Sequence, residues 1–318
     1  MNQRIRQAVL RTVCYSDVFN YALTPEEIWY WLADKDGNKF SKAQIARYLS
    51  NSRMMVRNKT SDYVCLQERK KIINLRVKRS EVSQNKVKVA RTAASWLSRI
   101  PTVEALLITG SLAMNNAEDD DDIDLMVLTA PGCVWVTRFW CVIVMELAGM
   151  RRRPRSAWLL PESNLGHKKE GVTDKICLNL FLDRENLQMP SDKRDLYFAH
   201  EILQAKLIFT KSKSYGQFIN MNSWIAGILP NALAQVKKDL KKNLRLSTAS
   251  GAKKLDKIVV WLMRRFELPL FWIQRRYMSR RRSREIVTAN TAMFHPFDYH
   301  SWVMKEYGKR LRKYNIKT

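Results

Sequence analysis

The sequence predicts an α/β protein of the α+β kind, with a strand-and-helix core between a helical amino-terminal module and a basic helical carboxyl-terminal region. Three observations carry this expectation. Apolar runs at 106–108, 123–128 and 175–183 have strand length and are separated by segments of helical periodicity. The first hundred residues hold several helix-capping signals and a short hairpin signal. The last third concentrates charge, with 22 Lys and Arg against 6 Asp and Glu in residues 226–318. The implied division is a module over 1–95, a core over 96–225 and a basic helical region over 226–318.

The opening segment, residues 1–18, interleaves Arg4, Arg6 and Arg11 with Ile5, Val9, Leu10 and Val13. It reads as an amphipathic helix and lacks the apolar stretch of an export signal. Thr24-Pro25-Glu26-Glu27 supplies an N-cap, a first-turn proline and early acids, predicting a helix over 25–33. Ser41 caps a third helix over 42–51, with Ala43, Ile45, Ala46 and Leu49 expected inward and Lys42, Gln44, Arg47 and Tyr48 outward. Strands are expected at 55–57 and 63–66, joined by the polar turn Asn58-Lys59-Thr60-Ser61-Asp62. Three helices and a hairpin resemble a winged helix-turn-helix. That resemblance implies a third helix set for a major groove and a wing set for phosphates, although such modules also dock proteins. A long basic helix over 68–98 then runs into the core with no Gly-Pro-Ser linker. Residues 134–150 are apolar, yet Arg138 and Glu146 interrupt them and they fall short of the roughly 20 residues of a membrane span. A buried helix is expected there.

The chemistry concentrates between two of the strands. Leu106-Leu107-Ile108-Thr109-Gly110-Ser111 ends an apolar strand in a Gly-Ser turn, and Asp122-Ile123-Asp124-Leu125-Met126-Val127-Leu128 begins the next. In a strand Asp122 and Asp124 share one face while Ile123, Leu125 and Val127 take the other. Two carboxylates so spaced supply hard oxygen ligands to Mg²⁺, which completes its shell with water and phosphate oxygens. Gly110 permits close backbone approach, and the Gly110-Ser111 amides and hydroxyl are donors for a phosphate. The acidic run from Glu118 to Asp122 also has a simpler reading as a solvated turn. An EF-hand calcium loop is excluded, because its glycine and closing glutamate are absent at the required offsets.

Gly110-Ser111, ten intervening residues and Asp122-x-Asp124 in an apolar strand resemble the signature of the DNA polymerase β-like nucleotidyltransferase superfamily, over about residues 96–225. The resemblance implies a mixed sheet flanked by helices and transfer of a nucleoside monophosphate from an NTP, with two magnesium ions held by three carboxylates. Asp122 and Asp124 would be metal ligands, and Gly110 and Ser111 would bind the triphosphate. The family's third carboxylate lies in a later strand, and here the matching strand over 175–183 offers Cys177 and Asn179 at its centre. Asp183, of the same strand parity, is the candidate third acid, while Asp174 has the opposite parity.

The net charge of +26, with 56 Lys and Arg against 30 Asp and Glu, favours a polyanionic partner, nucleic acid before a membrane surface. In the basic region Trp261, Phe266, Phe271, Trp272 and Tyr277 interleave with Arg264, Arg265, Arg275, Arg276 and Arg280-Arg281-Arg282-Ser283-Arg284. These aromatics read either as base-stacking groups or, preferentially, as the buried stripe of a helical bundle. Cys14, Cys65, Cys133, Cys141 and Cys177 are scattered without metal spacing, the pattern of reduced thiols in a cytoplasmic protein. His167, His200, His295 and His300 lack zinc-like spacing and are expected to be structural. His200-Glu201 and Lys206 are expected on one helix after the third-acid strand, with Lys206 read as a surface lysine in preference to a phosphate contact. No P-loop or G-x-S-x-G elbow is present. Two functions follow: an NTP-dependent, Mg²⁺- or Mn²⁺-using transferase with an acceptor such as nucleic acid, or a degenerate core serving a nucleic-acid-binding regulator.

Overall fold

A computed structural model describes residues 3–34, 40–58, 60–153, 173–246, 254–279, 286–293 and 298–316. The chain opens with α1 (Gln3–Val18), α2 (Pro25–Tyr30), α3 (Lys42–Asn51) and the hairpin β1 (Met55–Arg57) and β2 (Val64–Leu66). Both short helices start at full capping boxes. Thr24 and Glu27 exchange side-chain and backbone bonds, as do Ser41 and Gln44, each cap stabilising its helix by about 1 kcal/mol. The second helix stops at Tyr30, three residues short of expectation, and Tyr48 is buried while Ala43 is exposed. Tyr48 has turned into the core because its ring offers far more apolar surface than the alanine methyl. Lys59, in the hairpin turn, lies outside the described residues.

The long helix α4 (Ile72–Leu97) leads into β3 (Val103–Ile108), the single turn α5 (Gly110–Ala113), β4 (Ile123–Thr129), α6 (Val134–Leu147) and β5 (Ile176–Asp183). Then come α7 (Leu196–Gln204), β6 (Lys206–Thr210), α8 (Ser214–Met221), α9 (Pro230–Leu246), α10 (Lys254–Arg264), α11 (Glu267–Ser279), β7 (Ile286–Val287), β8 (Thr291–Met293) and α12 (Tyr299–Lys313). Among the described residues six strands form one mixed sheet in the order β6-β3-β4-β5-β8-β7, with β4 and β5 the one parallel strand pair among them. A parallel pair needs a crossover, and α6 lies within that connection.

Strand alternation gives the sheet two dry faces. Ala105, Leu107, Met126 and Leu128 pack with α1, α3, α7, α9 and α12 in one continuous cluster. Leu106, Ile108, Leu125 and Val127 pack with the end of α4, with α6 and with Phe271 and Met278 of α11. The amino-terminal helices therefore share a core with the sheet. The region after residue 226 divides between the two faces, because α9 and α12 serve the first and α11 the second. Glu267 of α11 accepts the Trp135 and Val136 amides at 2.8 and 2.9 Å, fastening α11 to the start of α6. Among the described residues no helix is long and apolar enough to cross a membrane.

Candidate functional site

The site forms where β3 ends and β4 begins. Thr109 is extended, its amide donating to the Asp124 carbonyl at 3.0 Å, and Gly110 then turns the chain with φ +66°. A Cβ on Gly110 would lie 2.7 Å from Asp124 Oδ2. Glycine is required twice over at this position, for the left-handed backbone and for the space the carboxylate fills. Asp122 precedes β4 and Asp124 is its second residue, projecting from the face that carries Met126 and Leu128.

The acidic run is held from outside by α4. Lys78 pairs with Asp119 at 3.0 Å, and Arg79 pairs with Glu118. Buried Lys86 donates to the carbonyls of Asp119 and Asp121 at 3.0 and 2.8 Å and pairs with Asp174 at 2.8 Å. Asp121 accepts from the Ser111 hydroxyl and the Glu118 amide, both at 3.0 Å. The run is thus a braced loop that delivers Asp122 to the strand. Asp174, a flanking acid in the sequence, is committed to Lys86.

Ligand atoms of Asp122, Asp124 and Cys177 lie within 4.8 Å of one another, the one such group of three among the described residues. Register explains the meeting, since Asp124 pairs with Cys177 across the parallel β4–β5 ladder. Arg152 Nη1 sits 2.5 Å from Asp122 Oδ2 and 3.5 Å from Cys177 Sγ, and Asn179 Nδ2 donates to Asp124 Oδ1 at 3.0 Å. Asp122 Oδ2 nevertheless lacks a well-aligned hydrogen bond, so its contact with Arg152 is one of charge and proximity. Thr109 Oγ1 and Asn179 Oδ1 are also buried without hydrogen bonds. Burial first, and the adjacent Asp122 charge second, push the Asp124 carboxyl up to about 7. Burial and the same two carboxylates raise the Cys177 thiol well above its ordinary value, so it is a neutral neighbour at physiological pH.

Asp183 does not join the group. Its carboxylate accepts the Gly132 amide at 2.6 Å and the Glu185 amide at 2.8 Å, capping two turns. The parity expected for it fails because β5 carries a bulge. Leu178 pairs with Leu125 but Leu180 with Met126, so Asn179 is an extra residue and every later side chain changes face. Asp183 pairs with Thr129, five residues along β4 from Asp124 and roughly 16 Å away at strand rise.

A different acid approaches from the helical layer. Glu201 of α7 lies on the sheet face that bears Asp124, and burial, then the Asp124 charge, push its carboxyl up to about 7. No hydrogen bond or ion pair holds this carboxylate among the described residues. The sequence marked Glu201 only by its place beside His200, since nothing in helix periodicity says which sheet edge a helix residue will meet. Arg152 was equally hidden, one of three consecutive arginines. His200 is structural as expected, buried between Tyr15 and Trp31 with ring centroids 4.2 and 4.8 Å away, and burial drives its pKa down to about 3. His300 pairs with Asp195 at 2.5 Å, while His167 and His295 lie outside the described residues. Lys206 is not on that helix, which ends at Gln204, but opens β6; it is half-buried, donates to Asn115 Oδ1 at 2.7 Å and is lowered by burial, which sets it apart from a freely solvated surface lysine. Cys14, Cys65, Cys133 and Cys141 are buried free thiols.

No family model, curated protein or solved structure matches the chain. Two carboxylates that disfavour joint ionisation, beside a glycine turn and an arginine, form a place where a divalent cation and a phosphate oxygen would relieve buried negative charge.

Proposed function

We propose that the protein is a nucleotidyltransferase, in which an acceptor hydroxyl or phosphate oxygen bonds to the α-phosphorus of an NTP, the α–β anhydride bond breaks and pyrophosphate leaves. The observation that carries this reading is the Asp122/Asp124 pair meeting Cys177 within 4.8 Å beside the left-handed Gly110. The donor set fits Mg²⁺ or Mn²⁺, because carboxylate oxygens are hard ligands whereas a protonated thiol is not. Asp122 and Asp124 would hold the ion, whose contribution when bound is to polarise the phosphoryl group. Gly110 and Ser111 face the triphosphate in this reading, and Arg152 exchanges its contact with Asp122 for a phosphate oxygen. Glu201, raised toward neutrality, takes the proton of an acceptor hydroxyl. The acceptor class favoured by the charge of +26 is nucleic acid. The three-helix and hairpin module supports that choice through its likeness to a winged helix, with Gln44 and Arg47 exposed on α3. Buried reduced thiols accord with a cytoplasmic setting.

A second reading draws on Cys177 and Asn179 standing where a third carboxylate was expected: a core that binds nucleotide without transfer and serves a nucleic-acid-binding regulator. The deciding experiment incubates labelled NTPs and Mg²⁺ or Mn²⁺ with RNA, DNA, protein and small-molecule acceptors, wild type beside Asp122→Asn/Asp124→Asn. Transfer by the wild type and none by the variant is expected. Nucleotide binding without transfer under any condition establishes the regulator, and equal transfer by both moves the chemistry elsewhere.

A further inference from the structure

The aromatic side chains of this region read preferentially as the buried stripe of a helical bundle, with base stacking as the alternative; Phe271 is buried, while Trp261, Phe266, Trp272 and Tyr277 are on the surface. Ile258, Trp261, Leu262, Phe266, Leu268, Trp272, Ile273 and Tyr277 are each half or more exposed. On α10 Ile258, Trp261 and Leu262 share one face, and on α11 Leu268 with Trp272 and Ile273 with Tyr277 lie four residues apart, so the outer surface of both helices carries an apolar stripe, with Phe266 exposed at the turn between them. Inward-facing Met263, Leu270, Phe271 and Met278 already anchor the two helices to the sheet. The outer stripe is therefore surplus to folding. Beside it an open groove of about 540 Å³, lined by Trp96, Trp140, Val144, Val259 and Met263, continues the apolar surface onto α4 and α6.

Cations are interleaved with these side chains. Lys257, Arg264, Arg265, Arg275 and Arg276 are exposed, with Arg265 4.5 Å over the Trp261 ring and Arg275 5.4 Å over the Trp272 ring. The sequence continues into Arg280, Arg281, Arg282 and Arg284, whose placement lies outside the described residues.

We propose that α10 and α11 form an in-plane docking surface for an anionic lipid bilayer. Apolar side chains interleaved with arginines match a membrane interface, where aliphatic groups and arginine stems enter the acyl boundary and aromatic rings and guanidinium heads meet the headgroups. A single-stranded nucleic acid would use the aromatics and arginines but leave Ile258, Leu262, Leu268 and Ile273 wet. A second copy of the chain would bring the same arginine array against itself, and like charges oppose that contact. No described helix is long and apolar enough to span, so the contact is peripheral. The stripe lies on the sheet side opposite to the one that carries Asp124, which leaves the carboxylate pair facing away from the bilayer.

The test is flotation of the full chain with vesicles of phosphatidylcholine alone or mixed with phosphatidylglycerol, at low and high salt. The chain is expected to float with the mixed vesicles only, less so in high salt. Trp272→Ser/Ile273→Ser should weaken partitioning by about tenfold or more, since it removes two large apolar side chains from the contact. Arg265→Glu/Arg275→Glu should abolish the anionic preference. Thermal melts establish that each variant is folded, and the arginine variant stands in where the apolar one is not. The proposal is overturned where the chain ignores mixed vesicles, where folded variants float like wild type, or where it binds RNA or DNA through Trp272 and Arg275 without floating.

Discussion

Replacing Gly110 by alanine separates two demands that the site makes on one residue. The left-handed backbone at φ +66° costs an alanine about 1–2 kcal/mol. A Cβ 2.7 Å from Asp124 Oδ2 adds a second cost, because Asp124 must rotate off its rotamer or β4 must shift. An off-rotamer side chain costs about 0.5–1.5 kcal/mol. Gly149 provides the matched control, since it has φ +64° and nothing within 4 Å of its virtual Cβ. Any gain from a stiffer unfolded chain applies to both variants and cancels in the comparison. Gly149→Ala should therefore lower the melting temperature by a few degrees, and Gly110→Ala by roughly 2–4 °C more per additional kcal/mol. The more telling readout is Mn²⁺ binding followed by titration calorimetry, where Gly110→Ala should lose about tenfold or more as Asp124 is displaced and Gly149→Ala should match wild type. Equal melting and equal Mn²⁺ affinity in the two variants would refute the idea that Gly110 is there to make room for the carboxylate.

Two further substitutions test the neighbouring acids. Asp183→Asn should lower stability by about 1–3 kcal/mol in urea unfolding, because one of its two amide partners at Gly132 and Glu185 loses an acceptor, while Mn²⁺ affinity is unchanged; a loss of metal binding equal to that of Asp124→Asn would put Asp183 back in the site. Glu201 binds its proton more tightly in the folded chain, with a pKa near 7. Its contribution to stability is therefore full below about 4.5 and disappears as pH rises through 7. Relative to wild type, Glu201→Gln should gain stability between pH 5 and pH 8, and a pH-independent difference would show that its carboxyl is not desolvated.

The elements that local chemistry specifies were readable from the sequence. Capping boxes at Thr24 and Ser41 announced α2 and α3 because a cap is complete within four residues. The alternation of Asp122, Ile123, Asp124 and Leu125 placed the carboxylates on one face because strand geometry needs no distant partner. What failed depended on contacts far along the chain. A single extra residue at Asn179 reversed the parity of Asp183, and no residue type announces a bulge. Glu201 feels the Asp124 charge because α7 packs on the same sheet face, and Lys86 braced the acidic loop across 88 residues to Asp174. The aromatics of α10 and α11 look the same in sequence whether buried or exposed, because periodicity finds an apolar face without saying what lies against it.

The last helix closes the first. Buried Asp17 of α1 is gripped by Arg69 at 2.8 Å and by Arg310 of α12 at 2.7 Å, 293 residues downstream, and Tyr307 meets Tyr15 edge to face. During synthesis the amino-terminal helices therefore emerge long before the partner that completes their core. Until α12 arrives, Asp17 has only Arg69 as its ion-pair partner, and Tyr15 lacks the Tyr307 ring that packs against it. Contacts of such sequence separation slow folding by their loop-closure cost. The same arrangement ties the maturity of the amino-terminal module, and of the sheet face that displays Asp124, to synthesis as far as α12.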